Sequence, residues 1–315
     1  VEVSAKNKNL FLPKNHENHS PKVDDFFIFV IYLIPSKMKN SAVLILLLLV
    51  STFAMAQKKE KIKGSKIVTI EQKEIGNFEA LEVTDNMEVY LDKGEKSELK
   101  IEADNNLHDI INVDLSSNTL RITASKSASN YKKLIVRVTY TNDLKMVTSK
   151  NEAIINAIQE IQLNDITFKA FDDSQLNLNI NSKNFVLESD NNSKIELNLK
   201  SEKATIQLSK NAALKALMAS VDLKIDMYQK SKANLEGDVT NAFLRLDNNA
   251  EFIGKNLAIT NAELVTESYS DCSINVNKNL IIEASGNSKT QLYGEQKVEI
   301  KRFMDNATLS KKPTK

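Results

Sequence analysis

From residue 174 onward, apolar and polar side chains alternate in short runs, and the runs recur. Phe185 and Leu187, Leu223 and Ile225, and Leu280 and Ile282 lie eight and six places before a small residue. Leu176 and Leu178, Ile195 and Leu197, Leu214 and Ala216, Phe252 and Gly254, and Cys272 and Ile274 lie two and four places after one. The small residues are Ser174, Ser193, Ala212, Ser231, Ala250, Ser270, Ser288 and Ala307, spaced by 18 to 20 positions. Alternation with a period of two predicts strands with one buried face. Between the strands stand Asp190-Asn191-Asn192, Asp247-Asn248-Asn249, Ser285-Gly286-Asn287 and Asp305-Asn306. Asn, Asp and Gly tolerate left-handed backbone angles, so these are tight corners. A second, looser corner falls at 181–184, 201–203 and 277–279.

Each unit therefore reads as strand, tight corner, strand, looser corner. Two short strands cannot bury their apolar side chains alone, but stacked units share a continuous core. The fold class expected is all-β: a parallel β-helix or β-solenoid, right-handed, with rungs of about 19 residues over 146–309. Ala153, 21 residues before Ser174, marks a further rung. The stretch 212–219 tolerates helix but keeps the register, so it reads as a variant rung. Residues 66–145 form a β-rich head continuous with the solenoid and capping it, with strand-like runs at 66–70, 81–91, 98–102, 119–123 and 134–140. Asp92-Lys93-Gly94 and Ser116-Ser117-Asn118 read as turns. Residues 310–315 form a polar tail, too short for the strands of a translocator barrel.

The 38–57 stretch reads MKNSAVLILLLLVSTFAMAQ. A basic Lys39, an apolar run and Ala54-Met55-Ala56 make a signal peptide at 38–56, cleaved between Ala56 and Gln57. Export follows, to the periplasm, the outer-membrane surface or the exterior, with no stable membrane span after cleavage. Residues 1–37 then precede a natural start at Met38, and read as a mis-called leader or a disordered segment.

Charge adds little. The chain has 42 basic and 41 acidic residues, a net charge of +1 and no Trp. Without a basic face, a nucleic-acid partner is not expected. The one cysteine, Cys272, falls at an inward strand position and allows no internal disulfide. His108 stands in a turn without a second metal ligand nearby. GxSxG, HExxH and Gly-rich phosphate loops are absent from the sequence, and no cofactor is expected. Asp172, Asp173, Asp190, Asp247, Asp271 and Asp305 fall near the tight corner, where stacked carboxylates could hold calcium or protonate a glycosidic oxygen. The simpler reading is structural. Asn192, Asn211, Asn249, Asn287 and Asn306 all precede the small residue, and would form an Asn ladder that satisfies buried corner backbone.

Between 78 and 157 the order of elements adds a resemblance. Phe78-Glu79-Ala80-Leu81-Glu82-Val83 is followed by Met87-Glu88-Val89-Tyr90-Leu91 and Gly94, then by Leu99-Lys100-Ile101-Glu102-Ala103-Asp104. Leu120-Arg121-Ile122 and Leu134-Ile135-Val136-Arg137-Val138-Thr139-Tyr140 come next, with Leu144 and Ser149. This resembles the head GIN domain family of auto-transporter adhesins, frequent in Bacteroidetes, over roughly 75–310. Asp85-Asn86-Met87 departs from the Gly-Ile-type step common there. The resemblance implies an exported β-solenoid with an adhesive role, and brings no catalytic residues.

The function expected is thus a non-enzymatic, exported binding protein of the cell envelope, with an envelope glycan or a protein as ligand. Outward side chains such as Glu188, Gln207, Asp226, Arg245 and Glu283 are the expected binding column. Two alternatives stand beside it. One is a carbohydrate-active enzyme, a polysaccharide lyase or glycoside hydrolase using the acidic corner. The other is a structural or envelope-stress component acting as a homo-oligomer stacked by edges or faces.

Overall fold

The computed structural model describes residues 59–313. The leader at 1–37, the signal peptide at 38–56 and the cleavage point between Ala56 and Gln57 lie outside the described residues. The head contains β1 (Lys61–Lys63), β2 (Val68–Glu74), β3 (Ala80–Thr84), β4 (Glu88–Lys93) and β5 (Glu98–Asp104). A short 3-10 helix at Asn105–Ile110 leads to β6 (Ile111–Ser116), β7 (Thr119–Ala124), β8 (Ser127–Ser129), β9 (Leu134–Tyr140) and β10 (Met146–Lys150). The long strands follow: β11 (Ile154–Ala170), β12 (Gln175–Ser189), β13 (Lys194–Leu208), β14 (Ala213–Met227), β15 (Lys232–Leu246), β16 (Glu251–Thr266) and β17 (Asp271–Ala284). The chain closes with β18 (Lys289–Tyr293), β19 (Lys297–Phe303) and β20 (Thr308–Lys311). Together they build a β-solenoid of about nine turns.

Each long strand pairs in parallel, almost residue for residue, with the one before and the one after. Of the stretch 212–219, Ala213 to Ala219 is strand, in register with the rung before. Inward columns are apolar throughout. Leu187, Ile206, Ile225, Leu244, Leu264 and Ile282 stack in one column, each without solvent exposure. Burial of such side chains is worth about 1.5–3 kcal/mol apiece. Phe168 and Phe185 meet between adjacent rungs with ring centroids 6.2 Å apart.

The tight corners are two-residue turns. The amide of the small residue donates to the carbonyl three positions earlier, as from Ser193 to Asp190 (3.2 Å) and from Ala212 to Ser209 (3.0 Å). Both central residues have positive φ at Asn151-Glu152, Asp172-Asp173, Asn191-Asn192, Lys210-Asn211, Gln229-Lys230 and Asn248-Asn249. That is the type I′ pattern, which suits strands of right-handed twist. At Ser268, Gly286 and Asp305 only the first central residue is left-handed, the type II′ pattern. The small residue that follows turns into the core and, from Ser174 to Ser288, is fully buried.

The looser corner differs from its expectation. It is a bend inside one strand rather than a break between two. Only Lys183, Glu202, Val221 and Thr240 drop out of the pairing, and Ser182↔Ser201 resumes as Asn184↔Lys203. Two consecutive outward residues shift the alternation by one, and this turns the sheet without releasing its hydrogen bonds. The drift in period has a similar origin. The 21-residue step from Ala153 to Ser174 is absorbed by a register shift between Ala157 and Ile161, which pushes Ile158 out into solvent. The 20- and 18-residue steps are absorbed by shifts at 234–236 and 254–258.

The head is part of the stack. β3 and β4 form one rung, divided by a turn at Asp85 (φ 80°). Asp85 occupies the left-handed position that favours glycine; its carboxylate accepts from the Ala124 amide (3.0 Å) and pairs with Lys59 (2.6 Å). The chain then makes an excursion. β7 and β9 lie against β3 and β4 on one side, and β10 and the start of β11 return on the other. Antiparallel β6 on β7, and β5 and β2 beyond β9, close this end. Ser117-Asn118, with φ of 49° and 56°, makes the β6–β7 hairpin at the expected turn.

Asp104 holds this cap together. It is buried, and its carboxylate accepts from the backbone amides of Lys66 (2.8 Å), Lys132 (3.1 Å) and Lys133 (3.0 Å). Burial alone would raise its pKa, but the amides of Lys66, Lys133 and Lys132 outweigh burial and hold it below the ordinary carboxylate value. Nearby Glu102 is held at about 2 by its bond to Lys133, with Lys100 3.2 Å away. The opposite end is plainer. β19 is exposed along its length, leaving Ile300 at 54% and Phe303 at 41% exposure. β20 carries the pairing to Lys311, two residues into the expected polar tail.

The corners and the cap can each be tested. Replacing Gln229→Asn and Lys230→Gly should stabilise the protein by about 1–2 kcal/mol in urea unfolding, because neither native residue favours φ of 52° and 63°. Asp104→Asn should lower the Tm by on the order of 5–10 °C at neutral pH. The folded pKa of Asp104 is depressed, so its contribution is complete above the unfolded value near pH ~4 and lost as pH falls through the folded one. The Tm of the variant should therefore fall less steeply than wild type below about pH 4.

Candidate ligand-binding groove

Three outward columns run along the face formed by the second half of each strand. The expected binding column is one of them. Register aligns Lys169, Glu188, Gln207, Asp226, Arg245, Val265, Glu283 and Arg302. Most of its charges neutralise one another. Lys169 pairs with Glu188 (2.8 Å), Arg245 with Asp226 (3.1 Å) and Arg302 with Glu283 (3.6 Å). Arg245 also lies over the Tyr228 ring, 5.2 Å from its centroid, and bonds its hydroxyl. The column is located as expected, but it is a self-paired ladder rather than a row of unpaired charges.

The concavity lies beside it, along the looser corner. A groove of about 630 Å³ is walled on one side by Lys203, Asp222, Asn241, Asn261, Asn279 and Lys297. The other wall is Lys224, Phe243, Glu263, Ile281 and Glu299, with the inward column Ala204, Leu223, Ala242, Ala262 and Leu280 as the floor between them. Along the first wall the side chains bond in sequence. Asn241 Nδ2 donates to Asp222 Oδ1 (2.9 Å), Asn261 Nδ2 to Asn241 Oδ1 (3.2 Å) and Asn279 Nδ2 to Asn261 Oδ1 (2.9 Å). Lys224 Nζ is 6.0 Å from the Phe243 centroid.

This amide ladder is the feature that sequence reasoning misplaced. The expected one, through Asn192, Asn211, Asn249, Asn287 and Asn306, lies in turn positions that are mostly exposed, not buried. Of that column only Asn306 and Asn287 bond side chain to side chain (3.1 Å). At Asn192, Asn211 and Asn249 asparagine stands in the left-handed second position of the turn, which it tolerates. The spacing of Asp222, Asn241, Asn261 and Asn279, by 19, 20 and 18 residues, was the available signal for the true ladder.

The acidic corner does not converge. Asp172 and Asp173 are central turn residues, Asp190 and Asp247 precede the turn, and Asp271 follows the small residue. Asp172 accepts from Asn191 (2.8 Å), Asp190 pairs with Lys210 (2.9 Å) and Asp305 accepts from the Gly286 amide (2.9 Å). Among the described residues, no group of three or more His, Cys, Asp or Glu side chains could hold a metal ion. His108 sits in the head's 3-10 helix between Thr69 (3.0 Å) and Glu71 (3.3 Å). Cys272 is buried in the column of Phe252 and Thr290, and burial pushes its thiol pKa up. No helix among the described residues is long and apolar enough to cross a membrane.

Comparison with known proteins places the fold. The structure superposes on a "putative adhesin" from Parabacteroides merdae with a TM-score of 0.60 at 16% identity, covering 80% of this chain and 99% of that one. A "putative adhesin" from Parabacteroides distasonis gives 0.60 at 14% identity, covering 80% and 100%. A "putative lipid binding protein" from the same species gives 0.54 at 13%, covering 80% and 99%. At these identities the likeness is one of fold. No curated protein matches the chain in sequence. The family model described as "Putative auto-transporter adhesin, head GIN domain" matches residues 77–216 and 196–295. With most of its length matched, from the first rung of the head into the last turns of the solenoid, the chain belongs to the head GIN domain family.

Proposed function

We propose that the protein is an exported, non-enzymatic adhesin of the cell envelope that holds its ligand along the outside of the solenoid. The observation that carries this reading is the groove, a trough crossing successive rungs between a polar wall and a wall that mixes Phe243 and Ile281 with charged side chains. Family membership supports an adhesive role. The Met38–Gln57 stretch supports export with cleavage after Ala56. At the tight corner Asp172, Asp190 and Asp305 each bond a separate partner, which argues against a glycoside hydrolase, whose two carboxylates flank one bond. One structural neighbour is named for lipid binding. Here the inward columns are filled by buried side chains, so an acyl chain has no interior to enter.

A direct test is to fractionate expressing cells and to sediment the purified protein with envelope material. The reading expects an envelope-located chain beginning at Gln57 that co-sediments with that material. A cytosolic, uncleaved protein that binds none of it would refute the reading.

The exposed C-terminal rung favours a second reading, self-association. Val298 and Ile300 align with the core residues Leu280 and Ile282, yet remain exposed on an unpaired strand edge. Glu299 and Lys301 flank Ile300, so two copies of β19 paired antiparallel about Ile300 would set opposite charges across from each other. Light scattering should then give a dimer that Ile300→Lys converts to monomer. A monomeric wild type at high concentration would dismiss it.

A further inference from the structure

The groove has a chemistry more specific than adhesion. We propose that it binds a neutral, hydroxyl-rich polymer, a glycan chain, laid parallel to the solenoid axis; this deepens the adhesin reading and rests on it. Three observations select this ligand class.

The first is the amide ladder. An asparagine side chain offers two N–H donors and two acceptor lone pairs. Asn241 and Asn261 each use one donor and one acceptor within the ladder. A second N–H and a second lone pair remain on Asn241 and on Asn261, so this part of the wall presents donors and acceptors side by side. Hydroxyl groups, which both donate and accept, match such a row. The six positions from Lys203 to Lys297 span five rung steps, or about 24 Å at the usual strand spacing. That is room for several sugar units.

The second is the facing wall. Phe243 and Ile281 are half-buried outward side chains that offer apolar surface opposite the amides. The C–H faces of sugar rings pack on such surface while their hydroxyls reach the amides.

The third is charge. The groove holds Lys203, Lys224 and Lys297 against Asp222, Glu263 and Glu299, three of each sign. A polyanion, whether an acidic polysaccharide or a nucleic acid, would meet no net attraction. An extended peptide is disfavoured for a different reason. Peptide recognition by strand addition needs an open sheet edge; the rungs from β14 to β16 are paired on both sides, and the one open edge at the groove, on β19, runs across the solenoid axis rather than along the groove.

The test uses the purified exported protein in affinity gels. The probes are neutral polysaccharides (a β-glucan, a mannan and a xylan), alginate as the anionic polymer, and casein peptides as the extended chain. Variants Asn261→Ala and Phe243→Ala probe the two walls, with Asn234→Ala, an exposed amide on the first half of β15 and outside the groove, as the control. Unchanged Tm values establish that each variant folds. The proposal expects retardation by at least one neutral glycan, insensitive to salt, weakened about tenfold by either wall variant and untouched by the control. It is overturned if only alginate or peptide binds, if no neutral glycan binds, or if neutral-glycan binding survives both wall variants. In any of these cases co-sedimentation with envelope material would leave the adhesin reading standing. Failure of both assays would remove the two together.

Discussion

The structure depends on one constraint, the in-register parallel ladder between successive rungs. Because each residue sits directly above its equivalent in the rung before, a column must tolerate its own repetition. Apolar columns do so by packing, as in the run from Leu187 to Ile282. Charged columns do so only by alternating sign, since like charges opposite one another are destabilising. The Lys169–Glu188, Asp226–Arg245 and Glu283–Arg302 pairs are that solution. Amides offer another, because an asparagine can donate to the neighbour below while accepting from the one above.

A ladder also has ends, and the two ends are treated differently. At the head the chain leaves the solenoid after β4, builds β5 to β9 beneath the first rung, and returns above it. Antiparallel strands there consume the edge that a parallel stack would leave open. Asp104 ties the start of β2 and the approach to β9 to the end of β5 through three backbone amides. None of these amides lies in a strand: Lys66 and Lys132 are in bends and Lys133 directly precedes β9. At the other end the last strands continue the register and stop, leaving core-type side chains at the surface.

The repeat is legible because a stacked fold writes one spatial rule many times. The small residue, the corner amides and the alternating strands each recur from Ser174 to Ala307. Where the rule is written once, sequence reasoning weakens. The division between β3 and β4 at Asp85, the excursion of β6 to β8 and the register shift after Ala157 depend on tertiary pairing that no local period records. The looser corner is visible in the sequence but reads there as a loop. Its polar doublets resemble turn residues, yet the ladder continues through them. The asparagines point to the wrong corner for a related reason. Asparagine is favoured both by left-handed turns and by stacked amides, and residue type alone does not separate the two.

This geometry also bears on what kind of site the molecule can carry. Catalysis requires unlike groups to converge on one point, and usually draws them from several loops on a scaffold. A ladder does the reverse, because it repeats like groups along a line at a fixed interval. The corners of this chain are turns of two central residues, too short to reach over the sheets and assemble such a constellation. What the scaffold can offer is length: a wall that carries an amide ladder, a wall with Phe243 and Ile281, and a floor of Ala and Leu side chains extended over several rungs. Weak contacts repeated along such a line add up only for a ligand that is itself extended. The same regularity that repeats like groups along a line therefore supports the proposed choice of a polymer as ligand.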